Sequence, residues 1–188
     1  MGLWDVLRGH SRPRQARLDA LFGLPSAALS LEAAMGLRAT GVGSVCFRAA
    51  EGQAALVSQQ EAADLVAVDG GPATQSRVDD YGYTWLTVRA EEGDTASLVT
   101  DLHAVNSALE AQGFGPGLLC STLELRDERG NTAYVVYLYK QGTFYPFCPT
   151  GPSSRDTLRE RQVRDVLGAD LPVEQDTSRW MPIWGMPD

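Results

Sequence analysis

The most constraining stretch of this sequence is residues 118–149, where three runs of β-forming residues are separated by two tight-turn signals. The runs LLCSTLELRD and TAYVVYLYK flank ERGN, whose Gly-Asn pair predicts a hairpin turn. Gln141-Gly142 predicts a second turn into TFYPFCP, and Pro146 places that run at an edge because proline cannot donate to a sheet. Strands joined by such short turns pair antiparallel, so this stretch predicts an antiparallel hairpin followed by an edge strand.

Helices and further strands are predicted on both sides of this stretch. The clearest helix covers residues 95–112, where Leu98, Leu102, Val105 and Leu109 recur at helical spacing. Further helices are predicted at 14–23, 25–36, 53–66 and 153–168, the last capped by Ser153 or Ser154, strands at 41–50 and 79–90, and a loop at 68–77. This order predicts an α+β fold with an antiparallel or mixed sheet of about five strands and helices packed mainly on one face.

The chain divides into a tip, a domain and a tail. Residues 1–17 carry four arginines and one aspartate, a net charge of +3 on a chain whose total is −8. Residues 18–168 are expected to form the α+β domain. Residues 169–188 contain three prolines and cannot form a continuous helix, so we expect an extended tail whose tryptophans pack on the domain.

The basic tip is a candidate binding segment. Two helical turns would place Leu3, Trp4 and Leu7 on one side and Arg8 on the other. So small an apolar side cannot hold a membrane by itself. We therefore expect the tip to dock on its own domain or on a partner, with membrane contact as an auxiliary interaction.

Charge and hydropathy exclude two classes of function. A net charge of −8 argues against a nucleic-acid binder, because phosphates would be repelled. No apolar run reaches the roughly 18 residues that a membrane-spanning helix needs, so none is expected to cross a bilayer. Three irregularly spaced cysteines do not form a disulfide framework. We expect a cytoplasmic protein and leave open a peripheral position at the inner face of the membrane.

Residues of the types used in catalysis and metal binding are present but scattered. They are Cys46, Cys120, Cys148, His10 and His103, and none stands at the paired spacing of a zinc site. We therefore expect no metal, no cofactor and no catalytic residue. The alternative is a Cys/His-dependent enzyme of unknown substrate that uses Cys148, His103 or Lys140, although Asp101 and His103 would face different directions on a helix.

The aromatic run YLYKQGTFYPF surrounds Lys140, the only lysine of the chain. One interpretation is a ligand pocket with Lys140 as its anchor and Phe144 and Tyr145 as its walls. The interpretation we favour is a hairpin whose rings stack across neighbouring strands. Lys140, Phe144 and Tyr145 are nevertheless retained as candidate binding residues.

Several long strings in this sequence resemble the PspA-associated protein family PspAB. The strings are MGLWDVLRG, LDALFGLPSAA, GVGSVCFRAAEG, DDYGYTWL, DLHAVNSALEAQGFGPGLLCS, VYLYKQGTFYPF and RWMPIWGMPD, at 1–9, 18–28, 41–52, 79–86, 101–121, 136–147 and 179–188. The resemblance covers essentially the whole chain. It implies association with PspA, the helical membrane-remodelling protein of the phage-shock envelope-stress response, and it carries no catalytic motif.

The resemblance and the scattered chemistry together favour a non-enzymatic adaptor or regulator that binds PspA or a related envelope-stress protein at the cytoplasmic face of the membrane. A second hypothesis is a chaperone-like module for a hydrophobic or helical segment, by analogy with CesT/YbjN-like α+β folds. That hypothesis leaves a homodimer open.

Overall fold

The structure is a computed structural model that describes residues 18–48, 64 and 71–186. The predicted tip at 1–17, with Leu3, Trp4, Leu7 and Arg8, lies outside the described residues. The predicted helix at 53–66 also lies outside them, apart from Asp64.

The described residues form an α+β fold. The helices are α1 (Leu24–Met35), α2 (Thr95–Ala111) and α3 (Thr157–Leu167), with short 3-10 segments at Leu18–Gly23, Gly115–Gly117 and Thr177–Arg179. The strands are β1 (Arg38–Phe47), β2 (Gln75–Val78), β3 (Thr84–Arg89), β4 (Leu118–Arg126), β5 (Thr132–Leu138), β6 (Thr143–Phe147), β7 (Pro149–Gly151) and β8 (Ser154–Arg155). The main sheet has the order β2-β3-β1-β4-β5-β6, and every neighbouring pair is antiparallel.

The predicted α+β class is confirmed, and so are the β4–β5 hairpin and the position of β6 at a sheet edge. The sheet has six strands rather than about five. The additional strand is β2, which begins inside the predicted loop at 68–77 and ends at Val78, and it pairs with β3 at the opposite edge.

The two faces of the sheet are covered differently. On one face the three helices build the main core, whose fully buried residues include Leu31 of α1, Leu102 of α2 and Leu167 of α3. Because side chains alternate along a strand, Val45 of β1 belongs to this core while Cys46 belongs to a second cluster on the other face. That second cluster, which we call the outer face, consists of Cys46, Trp85, Cys120, Val136, Tyr145, Phe147 and Trp180.

The continuous helical segment Leu18–Met35 is long and apolar enough, by length and composition alone, to cross a membrane, with a mean hydropathy of 1.2. The sequence-based expectation had found no such segment. In the fold this segment contributes Leu21, Leu24 and Leu31 to the main core, each at most 1% exposed. Burial of one side against the sheet accounts for its apolar composition.

Three predicted boundaries are wrong, each for a local reason. β3 begins at Thr84 instead of 79, because the Asp79 carboxylate accepts hydrogen bonds from the Tyr81 and Tyr83 N–H groups and closes a turn there. α3 is capped by Asp156, not by Ser153 or Ser154, because Ser154–Arg155 is strand β8. β1 begins at Arg38 and continues past Gly41, where φ is +81° and a Cβ would lie 2.4 Å from the Ala90 carbonyl oxygen.

The β4–β5 turn is closed by Asp127 and makes the fold sensitive to acid. Its carboxylate accepts hydrogen bonds from the N–H groups of Arg129 and Asn131, from Asn131 Nδ2 and from the Arg159 guanidinium. The Asn131 donors and the Arg159 charge hold the pKa of Asp127 well below its ordinary value. The ionised carboxylate therefore stabilises the folded state above its unfolded pKa of about 4, and this contribution is lost as pH falls toward the depressed value.

We predict that Asp127→Asn lowers the free energy of unfolding at neutral pH and reduces its decline between about pH 7 and pH 3. Urea denaturation monitored by circular dichroism across this pH range measures both effects. The control is Glu128→Gln, which removes an exposed neighbouring carboxylate in the same turn. A decline as steep in Asp127→Asn as in the unmodified protein would contradict the role given to this carboxylate.

Candidate functional site: an aromatic cavity on the outer face of the sheet

The floor of the candidate site is a row of neighbouring residues that crosses four strands. Trp85 of β3 is paired with Cys46 of β1, Cys46 with Cys120 of β4, and Cys120 with Leu138 of β5. Residues directly opposite in antiparallel strands project from the same face of the sheet. All four side chains therefore lie side by side, and all four line one cavity.

The C-terminal segment forms the opposite wall. Met181, Pro182, Ile183 and Trp184 line the cavity. The Trp184 ring meets Phe147 of β6 edge to face, with ring centroids 5.0 Å apart. This ring contact attaches the wall to the sheet, as expected for a tryptophan side chain on an apolar surface.

Trp180 anchors this segment. It is 7% exposed, its ring is stacked near Tyr145 at 6.2 Å between centroids, and its Nε1 donates to the Glu174 carbonyl oxygen. The Tyr145 hydroxyl donates in turn to the Met181 carbonyl oxygen at 2.7 Å. The wall is thus fixed by hydrogen bonds in addition to ring contacts.

Residues 172–174, which precede this wall in the chain, pair with the edge strand β6. The Phe144 N–H donates to the Pro172 carbonyl oxygen at 2.9 Å, and the Glu174 N–H donates to the Phe144 carbonyl oxygen at 2.8 Å. Phe144 and Val173 form a parallel bridge. The segment therefore satisfies backbone groups that an uncovered edge would present to other chains.

An ion pair between the partly buried Arg155 and the buried Glu160 joins this wall to α3. The Glu160 carboxylate accepts hydrogen bonds from Arg155 Nε at 2.8 Å and from the Cys148 N–H at 2.9 Å. Arg155 Nη1 donates a hydrogen bond to the Trp180 carbonyl oxygen at 2.8 Å, and the guanidinium group also lies over the Phe147 ring. Glu160 therefore holds Arg155 in the orientation that retains the tail.

The cavity has a volume of about 520 Å³ and walls that are mainly aromatic and aliphatic. Two charged residues border it. Asp79 is engaged in its own turn and accepts the Trp85 Nε1 hydrogen at 2.9 Å, whereas Lys140 is exposed. A mostly apolar pocket whose described lining includes an exposed lysine is suited to an apolar group that carries an anionic neighbour.

Two buried ionisable groups of the cavity, Cys46 and Tyr145, are neutral. A hydrogen bond with Cys120, followed by burial, raises the pKa of the Cys46 thiol, and burial raises the pKa of the Tyr145 hydroxyl. Both groups therefore stay protonated at neutral pH. This chemistry favours apolar contact over nucleophilic attack.

The cavity contains some of the candidate residues named from the sequence. Lys140 and Tyr145 line it. Phe144, their neighbour, projects from the opposite face of β6 and is fully buried in the main core, where its ring lies 5.1 Å from that of Tyr137. The floor row was missed, because it depends on pairings between distant strands. The tail tryptophans were expected to pack on the domain, but the sequence did not indicate that they cover the outer face.

The catalytic alternative named from the sequence places its residues apart. His103 on α2 contacts the Phe22 ring, with centroids 5.1 Å apart, and faces Asp19. Cys148 packs in the main core beside Glu160, and burial, followed by the Glu160 charge, raises the pKa of its thiol to about 12. Within residues 18–48, 64 and 71–186, no group of three or more His, Cys, Asp or Glu side chains is placed to hold a metal ion.

A second concavity is a wide groove of about 740 Å³ between α1, α3 and the β4–β5 turn. It is bordered by charged residues, two of which, Asp127 and Arg159, already form an ion pair at 2.7 Å. The exposed Leu158 lies at its border. This groove mixes charged and apolar residues, whereas the aromatic cavity has a much more apolar lining, so we treat the aromatic cavity as the candidate site.

Comparison with known proteins agrees with the resemblance in the sequence. No curated protein and no solved structure matches this chain at a significant level. A protein-family model described as PspA associated protein B matches residues 1–188, which is the whole chain. The chain belongs to the PspAB family, whose name records an association with PspA.

Proposed function

We propose that this chain is a non-enzymatic adaptor of the PspA-associated stress response, and that it receives an apolar side chain of PspA in the aromatic cavity. The observation that carries the proposal is the cavity itself, about 520 Å³ between the outer face of the sheet and the tail. The family name supplies the partner.

The shape of the cavity supports insertion of a side chain presented by a helix. An amphipathic helix offers large apolar residues at intervals of three and four positions, and such residues act as anchors in apolar pockets. Trp184 and Tyr145 provide ring surfaces for an anchor of this kind. Aromatic residues of this type dominate binding energy at protein interfaces.

The charge of Lys140 supports a partner in which an acidic residue lies beside the inserted apolar side chain. Lys140 is the only lysine of the chain, and it stands exposed where the cavity opens. On a chain of net charge −8, this cation favours a partner carboxylate beside the cavity.

The thiol chemistry supports contact instead of turnover. A thiol acts as a nucleophile through its thiolate. The hydrogen bond with Cys120, followed by burial, raises the pKa of Cys46, and burial raises the pKa of Cys148, so both thiols stay protonated. The three cysteines are free, as expected in a reducing compartment, and we place the protein in the cytoplasm at the inner face of the membrane. The basic tip at 1–17 supplies an auxiliary membrane contact in this proposal.

We predict that Trp184→Ala weakens binding of purified PspA by about tenfold or more, because it removes an aromatic wall of the cavity. Lys140→Glu is expected to weaken binding as well and to reduce its dependence on salt, because it reverses the cation at the opening. Titration of fluorescently labelled PspA at two salt concentrations measures both effects.

The control is Leu158→Ala, which removes an exposed apolar side chain from the border of the other groove. It is expected to leave PspA binding unchanged. Equal losses in Leu158→Ala and Trp184→Ala would show that the cavity is not the contact site, and unchanged binding in both cavity variants would refute the proposal.

A further inference from the structure

Two cysteines lie side by side in the floor of the aromatic cavity. Cys46 of β1 and Cys120 of β4 are direct partners in the strand register. Both line the cavity and both belong to the outer-face cluster. Directly opposed residues in antiparallel strands have Cα atoms about 4.5–5.5 Å apart, which lies within the range that a disulfide spans.

We propose that Cys46 and Cys120 are a redox-active pair that closes into a reversible cross-strand disulfide at the floor of the cavity. The oxidant is a low-molecular-weight disulfide that enters through the cavity. The third cysteine, Cys148, takes no part, because it lies in the main core on the opposite face of the sheet.

The order of reaction follows from exposure. Cys120 is 8% exposed and Cys46 is 3% exposed, so Cys120 meets the entering disulfide first. Its thiolate attacks one sulfur of the small disulfide, forms a mixed disulfide and releases one small thiol. Cys46 then attacks the Cys120 sulfur, which forms the protein disulfide and releases the second small thiol.

The electrons and protons balance in this exchange. Two protein thiols lose two electrons and two protons, and one small disulfide gains them to become two small thiols. A small reducing thiol in excess reverses the reaction. In a reducing compartment the pair therefore rests as two thiols.

The environment of the pair favours its two neutral forms. The mutual hydrogen bond and burial raise the pKa of Cys46, which disfavours the thiolate. The dithiol and the disulfide are both uncharged, so neither form buries a charge in the apolar cavity. The site therefore accommodates a disulfide without burying a charge. The low thiolate population makes formation of this disulfide slow.

The test treats the isolated, folded protein with 2-hydroxyethyl disulfide and follows the intact mass after alkylation of remaining thiols. We expect a product that has lost two hydrogens and, in peptide mapping, joins Cys46 to Cys120. Cys148→Ala is the matched control and is expected to give the same bridge. Cys46→Ala is expected to stop at a stable mixed disulfide on Cys120, and Cys120→Ala is expected to react more slowly.

A bridge that includes Cys148, or a Cys46–Cys120 bridge that appears only in urea, would overturn the inference. Circular dichroism of each variant before treatment establishes that it is folded. If Cys46→Ala fails to fold, alkylation kinetics of Cys120 in the unmodified protein still test the predicted order, because Cys120 must react before Cys46.

A final arm, which rests on the proposed function, repeats the reaction in the presence of saturating PspA. Occupation of the cavity is expected to slow bridge formation by about tenfold or more, because the partner blocks the route to Cys120. A bridge that forms at an unchanged rate would contradict the docking of PspA in the cavity and leave the redox pair supported. Absence of the bridge without PspA would overturn the redox pair alone.

Discussion

Replacing Glu160 by alanine is expected to lower the free energy of unfolding by about 3–5 kcal/mol. Glu160 is 2% exposed and holds both Arg155 Nε and the Cys148 N–H. Its removal leaves the partly buried Arg155 guanidinium without its carboxylate and leaves a buried backbone donor unpaired. Urea denaturation followed by tryptophan fluorescence measures the change.

The loss of stability in Glu160→Ala is expected to affect the C-terminal tail as well as α3. Arg155 also donates to the Trp180 carbonyl oxygen, so release of its other end loosens the anchor of the cavity wall. The matched control is Arg164→Ala, which breaks the exposed Arg164–Asp165 pair on the same helix and is expected to cost less than about 1 kcal/mol. Similar losses in the two variants would contradict the role assigned to Glu160.

The second large effect is expected from Leu102→Ala, which should lower the free energy of unfolding by about 2–5 kcal/mol. Leu102 is fully buried on α2 and packs against β1 at Gly43, where a Cβ would come within 3.0 Å of its Cδ1 atom. Truncation leaves a cavity at the contact between the helix layer and the central strand, and the surrounding backbone cannot close it completely.

The control is Leu29→Ala, the same chemical change at a position of α1 that is 69% exposed. It is expected to alter stability by no more than about 0.5 kcal/mol. Urea or thermal unfolding of both variants gives the comparison. A loss in Leu29→Ala as large as that in Leu102→Ala would show that burial in the core does not set the effect.

Local signals in the sequence predicted much of this fold. The Gly-Asn and Gln-Gly turns predicted the β4–β5–β6 order, and helical spacing from Leu98 to Leu109 predicted α2. Both signals depend on residues within a few positions of one another. Both signals can therefore be recognised without knowledge of the tertiary structure.

The missed elements depend on contacts from elsewhere in the chain. β2 is four residues long and largely exposed, so its sequence QSRV carries no alternation, and only pairing with β3 makes it a strand. The start of β3 was placed too early because the Asp79 side chain captures the N–H groups of Tyr81 and Tyr83. Such a turn competes with the strand, and the alternation of aromatic residues does not reveal it.

The candidate site was predicted only where it is local. Lys140 and Tyr145 stood out in the aromatic run, and both border the cavity. Phe144 stood out equally but belongs to the other face, because adjacent residues of a strand point in opposite directions. The contact between Cys46 and Cys120 depends on the register of β1 against β4. The two residues are 74 positions apart in the sequence, so their contact follows only from the assembled sheet.

The pairing of the C-terminal segment with β6 has a consequence for the order of synthesis. A ribosome makes the sheet strands first and the segment that pairs with β6 afterwards. Until Pro172 and Glu174 emerge, the nascent chain offers an open β6 border, and until Trp180 emerges it offers an uncovered hydrophobic sheet surface. Translational pausing just before this segment should therefore increase capture of the nascent polypeptide by cotranslational chaperones.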